Sequence, residues 1–199
     1  MKAATLESKF PLLAVENGCI VSKEADVTVA FRVELPELFS VTGSEYEAVH
    51  SAWHKAVKVL PEYSIVHKQD FFIEEKYRPE TDRDDLSFLS RSFERHFNER
   101  PFLNHFCYLF LTKTTKARSR QESTFSPLCK GRLVPKEIED RETVTRFIEA
   151  VGQFEKIMND SGLVTLRRLT TDEITGTERS AGIVEKYLSL SQHDTTVLK

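Results

Sequence analysis

The sequence has few of the residues and motifs that mark several common protein classes. Its 199 residues include only three cysteines, seven glycines, seven prolines and one tryptophan. No stretch approaches the ~20 consecutive apolar residues that a membrane-spanning helix needs. The low glycine and proline content argues against a flexible linker or a low-complexity protein. With 40% hydrophobic and 30% charged residues, the composition is that of an ordinary globular domain.

The three cysteines form neither a metal-binding pair nor a disulfide framework. Cys19, Cys107 and Cys129 are far apart, and none belongs to a CxxC motif. Cys107 lies within an apolar run, which predicts a buried core thiol. Such cysteine usage fits a reducing compartment, and the first residues lack the apolar centre of a secretory signal. We therefore expect a cytoplasmic protein.

Charge gives no global attraction to nucleic acid or to anionic lipid, because the net charge is −3 and the pI is near 6.1. One basic run interrupts this balance, within a polar stretch from Thr112 to Ser126 that we predict to be an exposed loop. The run could contact phosphates of nucleic acid or lipid headgroups, and a purely solvated loop is the alternative. Its basic residues are Lys113, Lys116, Arg118 and Arg120.

No motif of nucleotide hydrolysis or of nucleophilic catalysis is present. The seven glycines never form the GxxxxGK[ST] sequence by which a P-loop holds phosphates. There is no GxSxG elbow, and Cys129 has a neighbouring lysine but no histidine partner that the sequence identifies. We therefore assign no catalytic residue and no cofactor, and we expect no ATP turnover from these residues.

His50 and His54 are the weak candidates for a metal site. Their spacing of four residues on a predicted helix can bring two imidazoles to one metal ion. The intervening Ser51-Ala52-Trp53 lacks the glutamate of the zinc-protease motif, and the sequence indicates no third ligand. A partly exposed helix edge explains the spacing equally well, so we assign no metal site.

Hydrophobic periodicity predicts strands and helices that alternate after an initial hairpin. Asn17-Gly18 separates two apolar runs, and both residues tolerate the positive φ of a type I′ turn. A strand with one buried face follows from Val27 to Leu35. A helix is predicted next, from a capping box at Thr42 to Pro61, followed by a strand at 63–73 and a helix from Asp84 to Asn98. A strand buried on both faces is predicted at 104–111, and a helix at 139–159 precedes a strand at 163–166. The last predicted element is a helical segment at 171–190 that is weakened at Gly176 and Gly182.

This order predicts an α+β fold in which helices pack on a mixed β-sheet. The sheet opens with a β-hairpin, and the alternation favours ferredoxin-like split βαβ units. We expect a single N-terminal domain over residues 1–199, with the hairpin at 12–22, the core at 27–168 and a helical segment at 171–190. The absence of a closing element after residue 190 leads us to expect a domain cut from a longer chain.

Five blocks of this sequence resemble the N-terminal region of the TraG family of conjugative-transposon ATPases from Bacteroidetes. The resemblance covers nearly the whole chain, and it extends to residue identities within the blocks as well as to their pattern. The blocks are KFPLLAVENGCIVSKEADVTVAFRVELPELF at Lys9–Phe39, HSAWHKAVKVLP at His50–Pro61, FLSRSFERHFNERPFLNHFCYLFLTKTTK at Phe88–Lys116, NDSG at Asn159–Gly162 and EKYLSLS at Glu185–Ser191.

That family is similar to the conjugation ATPases of type IV secretion systems, in which an N-terminal α+β domain precedes a RecA-like P-loop motor. The resemblance implies that this chain is the first domain only, and that ATP and Mg²⁺ belong to the motor. It implies docking at the cytoplasmic face of the inner membrane, with channel components, the motor domain and further copies of the chain as partners. No motor residue matches a position here. Nucleic-acid contact through residues 113–120 is the alternative function.

Overall fold

The computed structural model describes residues 10–36, 41–76, 87–98, 100–114, 141–178 and 180–189. Within them the chain forms six strands and five helices. The strands are β1 (Leu12–Glu16), β2 (Cys19–Ser22), β3 (Val27–Glu34), β4 (Ser64–Lys76), β5 (Pro101–Lys113) and β6 (Thr165–Arg168). The helices are α1 (Gly43–Lys58), α2 (Phe88–Asn98), α3 (Arg141–Asn159), α4 (Thr171–Thr175) and α5 (Ile183–Ser189).

The predicted hairpin and the predicted helix cap are both confirmed. Asn17 and Gly18 join β1 to β2 with φ of 52° and 71°, the left-handed values that a type I′ turn requires. Thr42 caps α1 through a complete capping box, in which its hydroxyl accepts from the Glu45 amide and the Glu45 carboxylate accepts from the Thr42 amide. These local signals therefore set where the sheet begins and where the first helix starts.

The sheet is antiparallel, and its strand order is β1-β2-β3-β5-β4. Strand β6 also pairs with β3. β2 pairs with residues 27–29 of β3, and β6 pairs with residues 31–34. Four strands therefore follow the order β6-β3-β5-β4, with α1 connecting β3 to β4 and α3 preceding β6. Because β5 separates β3 from β4, and β3 separates β5 from β6, both crossovers are split βαβ units. The predicted α+β class and its ferredoxin-like units are confirmed. The sheet is antiparallel and not mixed as predicted, because in a split unit the strand between the two parallel strands runs antiparallel to both.

The core lies between the sheet and the pair α1 and α3. Val27, Val29 and Phe31 alternate along β3 toward this core and are at most 8% exposed. From the helices come Ala56 of α1 and the fully buried stripe of α3, which comprises Phe147, Val151, Phe154 and Met158. On the opposite face of β3, Ala30 is also fully buried, but Arg32 and Glu34 are exposed. The predicted single buried face is therefore confirmed, with Ala30 as the exception.

Several boundaries differ from those predicted. β4 runs unbroken to Lys76, and β5 begins at Pro101 and reaches Lys113, so Lys113 belongs to a strand and not to the predicted loop. Only the second half of β5 is buried, because residues 101–103 are exposed. Strand pairing carries these strands past their apolar runs, which periodicity does not reveal. The break in the C-terminal helical segment falls between Gly176 and Gly182, at the predicted weak point.

The chain divides into two compact units. One comprises Met1–Lys68 and Tyr108–Lys199, and the other comprises Gln69–Cys107. The groove described below lies wholly in the first unit, and α2 lies wholly in the second. Among the described residues, none of the helices combines the length and the apolarity that crossing a membrane requires.

Candidate functional site

The two histidines singled out by spacing lie exposed on α1. His50 stands at the mouth of a groove, and His54 follows one turn later. In the part of the chain that the structure describes, no group of three His, Cys, Asp or Glu side chains lies close enough together to hold a metal ion. Nothing in the described residues therefore supplies the third ligand that the two imidazoles would need.

Lys113 forms a hydrogen bond with the segment that precedes β4. Its ammonium donates to the Glu62 carbonyl at 2.7 Å and to the Thr114 carbonyl at 3.0 Å. The same nitrogen lies 5.5 Å from the centre of the Tyr63 ring, in cation–π range. This lysine therefore has a structural role at the end of β5. Lys116, Arg118 and Arg120 lie outside the described residues.

Helix α2 presents its apolar side to solvent. Phe88, Leu89 and Phe93 are 84%, 79% and 65% exposed, and within residues 88–96 only Ser90 and Glu94 are half-buried. An ordinary surface helix does the reverse and turns its apolar stripe toward the core. The predicted cap at Asp84 lies outside the described residues. Here the Ser87 hydroxyl accepts from the Ser90 amide at 3.2 Å.

The strands of the same unit add to this apolar surface. Phe72 of β4 is 64% exposed, and Phe102 and Leu103 of β5 are 47% and 67% exposed. We use the name α2 surface for these three side chains together with Phe88, Leu89 and Phe93. The name denotes the exposed apolar residues of this unit, because Phe102 and Leu103 are successive strand residues and point to opposite faces of the sheet. Exposed large apolar side chains mark interaction sites where they gather into one patch. The amphipathic spacing places Leu89 and Phe93 on one helix face, but it does not predict whether that face is turned toward the protein or toward solvent.

A histidine network ties β4 to β5 beside the α2 surface. His105 Nε2 lies 2.8 Å from Asp70 Oδ1, and the His105 ring stacks on Phe72 with centroids 4.6 Å apart and planes 10° apart. Asn104 donates to Glu75 at 3.1 Å in the same strand pair. The strand register brings His105 to its partners and so holds Phe72 in an outward position.

An apolar groove of about 260 Å³ opens beside α1 in the first unit. Leu35 and Tyr46, at 46% and 66% exposure, stand at its mouth. His50 and Lys68 are its two basic residues, and none of the described residues that line it is acidic. Its floor and inner walls are formed by Val33, Val49, Trp53, Leu109, Met158, Val164 and Leu166. No sequence signal predicted this groove, since its walls come from distant parts of the chain.

The perturbed thiol and phenol are explained by burial. Burial raises the pKa of the Cys19 thiol, and the nearby Arg168 partly offsets the rise. Burial also raises the pKa of Tyr108. Cys107 is 3% exposed, which confirms the predicted core thiol. A thiol whose pKa is raised has less thiolate at neutral pH, so Cys19 suits packing better than nucleophilic chemistry.

The carboxylate of Glu173, which has a low pKa, links α4 to β6 through hydrogen bonds. Glu173 accepts two hydrogen bonds from Arg167, at 3.0 and 2.7 Å, and a third from the Thr170 amide at 3.0 Å. The Arg167 guanidinium, and then the Thr170 amide, lower the pKa of Glu173 from 4.5 to about 2. Because the folded pKa is the lower one, the resulting stability is complete above the ordinary pKa and is lost as the pH falls toward 2.

We expect Glu173→Gln to lower the free energy of unfolding at pH 7 by about 1 kcal/mol, a figure discounted for the solvent exposure of this pair. It should also remove part of the decline in stability between about pH 5 and pH 2. Urea unfolding at a series of pH values measures both effects. Glu45→Gln is the matched variant, because Glu45 belongs to a capping box in which hydrogen bonds from Thr42 lower its pKa. Identical pH profiles for the two variants would contradict the role of Arg167.

The match to a known protein family covers the first quarter of the chain. Residues 1–51 match a family model described as "Domain of unknown function, B. Theta Gene description (DUF3875)". The matched stretch contains β1, β2, β3 and the start of α1. It does not reach α2 or most of the groove. No match was found among the curated proteins.

Proposed function

We propose that this chain is a non-catalytic docking and assembly domain of a conjugative-transfer ATPase of the type IV secretion class. In this proposal it attaches the motor domain to inner-membrane components of the mating channel, at the cytoplasmic face. The sequence blocks that resemble the TraG family support the parentage. The α2 surface supports the docking role, and it is the observation that carries the proposal.

The α2 surface has the composition of a protein interface. Aromatic residues dominate binding hot spots, and four of its six members are phenylalanines. Each such side chain gains about 1.5–3 kcal/mol when it is fully removed from water. Six large apolar side chains exposed within residues 69–107 would therefore gain free energy if a partner covered them. The network that holds Phe72 preorganises part of this surface, which lowers the entropic cost of binding.

We expect the double variant Leu89→Gln/Phe93→Gln to weaken capture of the inner-membrane channel proteins about tenfold or more, because it removes two apolar anchors. Both side chains are exposed, so the free energy of unfolding should change by no more than about 0.5 kcal/mol per site. Pull-down with purified channel components measures the first effect, and urea unfolding measures the second.

Arg91→Gln/Arg95→Gln is the matched control on the same helix, since both arginines lie on its exposed surface but outside the apolar stripe. It should retain capture. If the arginine variant loses capture and the apolar variant keeps it, the contact is electrostatic and the α2 surface is not the docking site. If the parent protein captures the channel components equally well without residues 1–199, the docking role itself is wrong.

Nucleic-acid contact through residues 113–120 gains no support from the described part of the basic run. Lys113 places its ammonium against two carbonyls and an aromatic ring. A cation so placed is a poor starting point for a phosphate site, where free donors are needed. The docking function is therefore the better supported of the two.

A further inference from the structure

The turn between β1 and β2 contains the dipeptide in which asparagine deamidates most readily. In an Asn-Gly sequence the glycine has no side chain to obstruct its own amide nitrogen, so this nitrogen can attack the carboxamide carbon of the preceding asparagine. Asn17 is exposed to water and is followed by Gly18. Asn104 and Asn159 are followed by residues with larger side chains, which hinder the same attack.

The reaction at this turn balances with water as its only co-reactant. The Gly18 nitrogen loses its proton and bonds to Cγ of Asn17, the Cγ–Nδ2 bond breaks, and ammonia leaves. A succinimide ring remains in the backbone. Water then opens the ring at either of its two carbonyl carbons. One product is aspartate, and the other is isoaspartate, in which the backbone continues through the former side-chain carbonyl.

The folded structure holds the attacking nitrogen in a hydrogen bond. The Gly18 amide donates to the Thr171 hydroxyl at 3.2 Å, and Gly18 is buried although Asn17 is exposed. Thr171 is the first residue of α4, which contacts β1. The φ values of 52° and 71° place both turn residues in the left-handed conformation, and the pairing of Glu16 with Cys19 closes the turn. Ring closure therefore requires that the Gly18 amide leave Thr171 and that the turn rotate.

We propose that Asn17 is a site of spontaneous covalent modification, and that the docking of α4 on the hairpin through Thr171 controls its rate. While α4 is docked, the Gly18 amide is engaged and the succinimide does not form. A local opening that lifts α4 from the turn releases the amide, and deamidation proceeds from this opened state. The inference does not depend on the proposed function.

The modification has a structural consequence for the sheet. Isoaspartate adds one atom to the backbone of a two-residue turn, and this turn sets the register in which β1 pairs with β2. A hairpin that carries isoaspartate at position 17 cannot re-form with the same register. Each opening that leads to isoaspartate is therefore recorded permanently in the covalent structure of the hairpin.

The direct test follows the 199-residue chain during incubation in mildly alkaline buffer, which favours loss of the amide proton. Proteolytic digestion and mass spectrometry locate the modified residue by the mass gain of an acid over an amide, and chromatography separates aspartate from isoaspartate peptides. We expect conversion at Asn17 well before any at Asn104 or Asn159. Asn17→Gln should stay unmodified over the same period, because its longer side chain closes a larger ring more slowly.

Substitutions at Thr171 test the control by α4. Thr171→Val removes the hydroxyl that accepts from Gly18, so conversion of Asn17 should become about two- to tenfold faster, as expected when an opening equilibrium loses one hydrogen bond. Thr171→Ser keeps the acceptor and should convert at the parent rate. Phe154→Leu is the matched control, because it destabilises the buried core without touching the turn, and it should leave the rate unchanged.

Hydrogen exchange at the Gly18 amide gives a second measurement that needs no substitution. The opening that exposes this amide to exchange is the opening that frees it for ring closure. The protection factor of the Gly18 amide should therefore match the factor by which folding slows conversion of Asn17, relative to the chain unfolded in urea.

Four outcomes would overturn this inference. Conversion of Asn17 no faster than that of Asn104 and Asn159 would mean that Asn17 is not the modification site. Equal rates for the parent and Thr171→Val would remove the control by α4. An acceleration by Phe154→Leu as large as that by Thr171→Val would place the reaction in the globally unfolded chain. A Gly18 protection factor unrelated to the slowing of conversion would separate deamidation from the opening of this contact.

Discussion

Replacing Phe154 by alanine should lower the free energy of unfolding by about 3–5 kcal/mol. Phe154 is fully buried on α3, and its ring meets that of Trp53 edge-to-face with centroids 5.7 Å apart and planes 78° apart. The substitution removes a ring that is fully buried, leaves a cavity between α1 and α3, and eliminates the aromatic contact with Trp53. Since small domains are stabilised by about 5–15 kcal/mol in total, this loss is a large fraction of the whole.

Urea unfolding followed by far-UV circular dichroism measures the effect of Phe154→Ala. Phe154→Leu should lose less, because it keeps most of the buried volume. Phe93→Ala is the matched variant on the surface: the same residue type is removed from a site that is 65% exposed, and stability should change by no more than about 0.5 kcal/mol. Similar losses at Phe154 and Phe93 would mean that the assignment of core and surface is wrong.

Replacing Gly182 by alanine should lower the free energy of unfolding by at least about 2 kcal/mol, because the added methyl group would overlap backbone atoms of α4. A Cβ at this position would lie 2.5 Å from the Ile174 carbonyl oxygen and would also collide with the Gly176 amide nitrogen. Backbone atoms cannot move aside as a flexible side chain would. Gly182→Ala should therefore separate α5 from α4. Urea unfolding measures the loss. Hydrogen exchange at the Gly176 and Lys186 amides locates it, since the Gly176 nitrogen lies at this contact and the Lys186 amide donates to the Gly182 carbonyl.

Gly152→Ala is the matched control and should have the opposite sign. Gly152 lies inside α3, and a Cβ there would meet nothing within 4 Å. Alanine costs less conformational entropy than glycine in a helix, so the protein should gain about 0.5–1 kcal/mol. A gain with Gly182→Ala, or a marked loss with Gly152→Ala, would contradict the packing of α3, α4 and α5 described above.

The fold shows how the two candidate surfaces arise from one chain. α1 and α3 turn their apolar sides inward and enclose the core, and the groove lies where α1 leaves part of the sheet uncovered. α2 turns its apolar side outward in the other unit. Periodicity treats α1, α2 and α3 alike, because an amphipathic stripe records only that one side must be covered. Whether the protein itself or a partner covers it depends on contacts between segments far apart in sequence.

Features that depend only on neighbouring residues could be predicted before the fold was known. The Asn17-Gly18 turn, the capping box at Thr42 and the break between Gly176 and Gly182 depend on backbone preferences and nearby hydrogen bonds, and all three were predictable. The alternation of helices and strands likewise predicted the α+β class and its split βαβ units. The length of β4 and β5 was not predictable in this way, since pairing with neighbouring strands extends both beyond their apolar runs.

Only the tertiary structure decided which predicted features could act as sites. It removed Lys113 from the exposed loop by fixing it to Glu62 and Tyr63, and it brought His105 to Asp70 across two strands. It turned α2 outward, and it built a groove whose walls are separated by more than a hundred residues. Burial and partnership are properties of the assembled chain, so residue types and spacing could nominate these side chains but could not say what each of them faces.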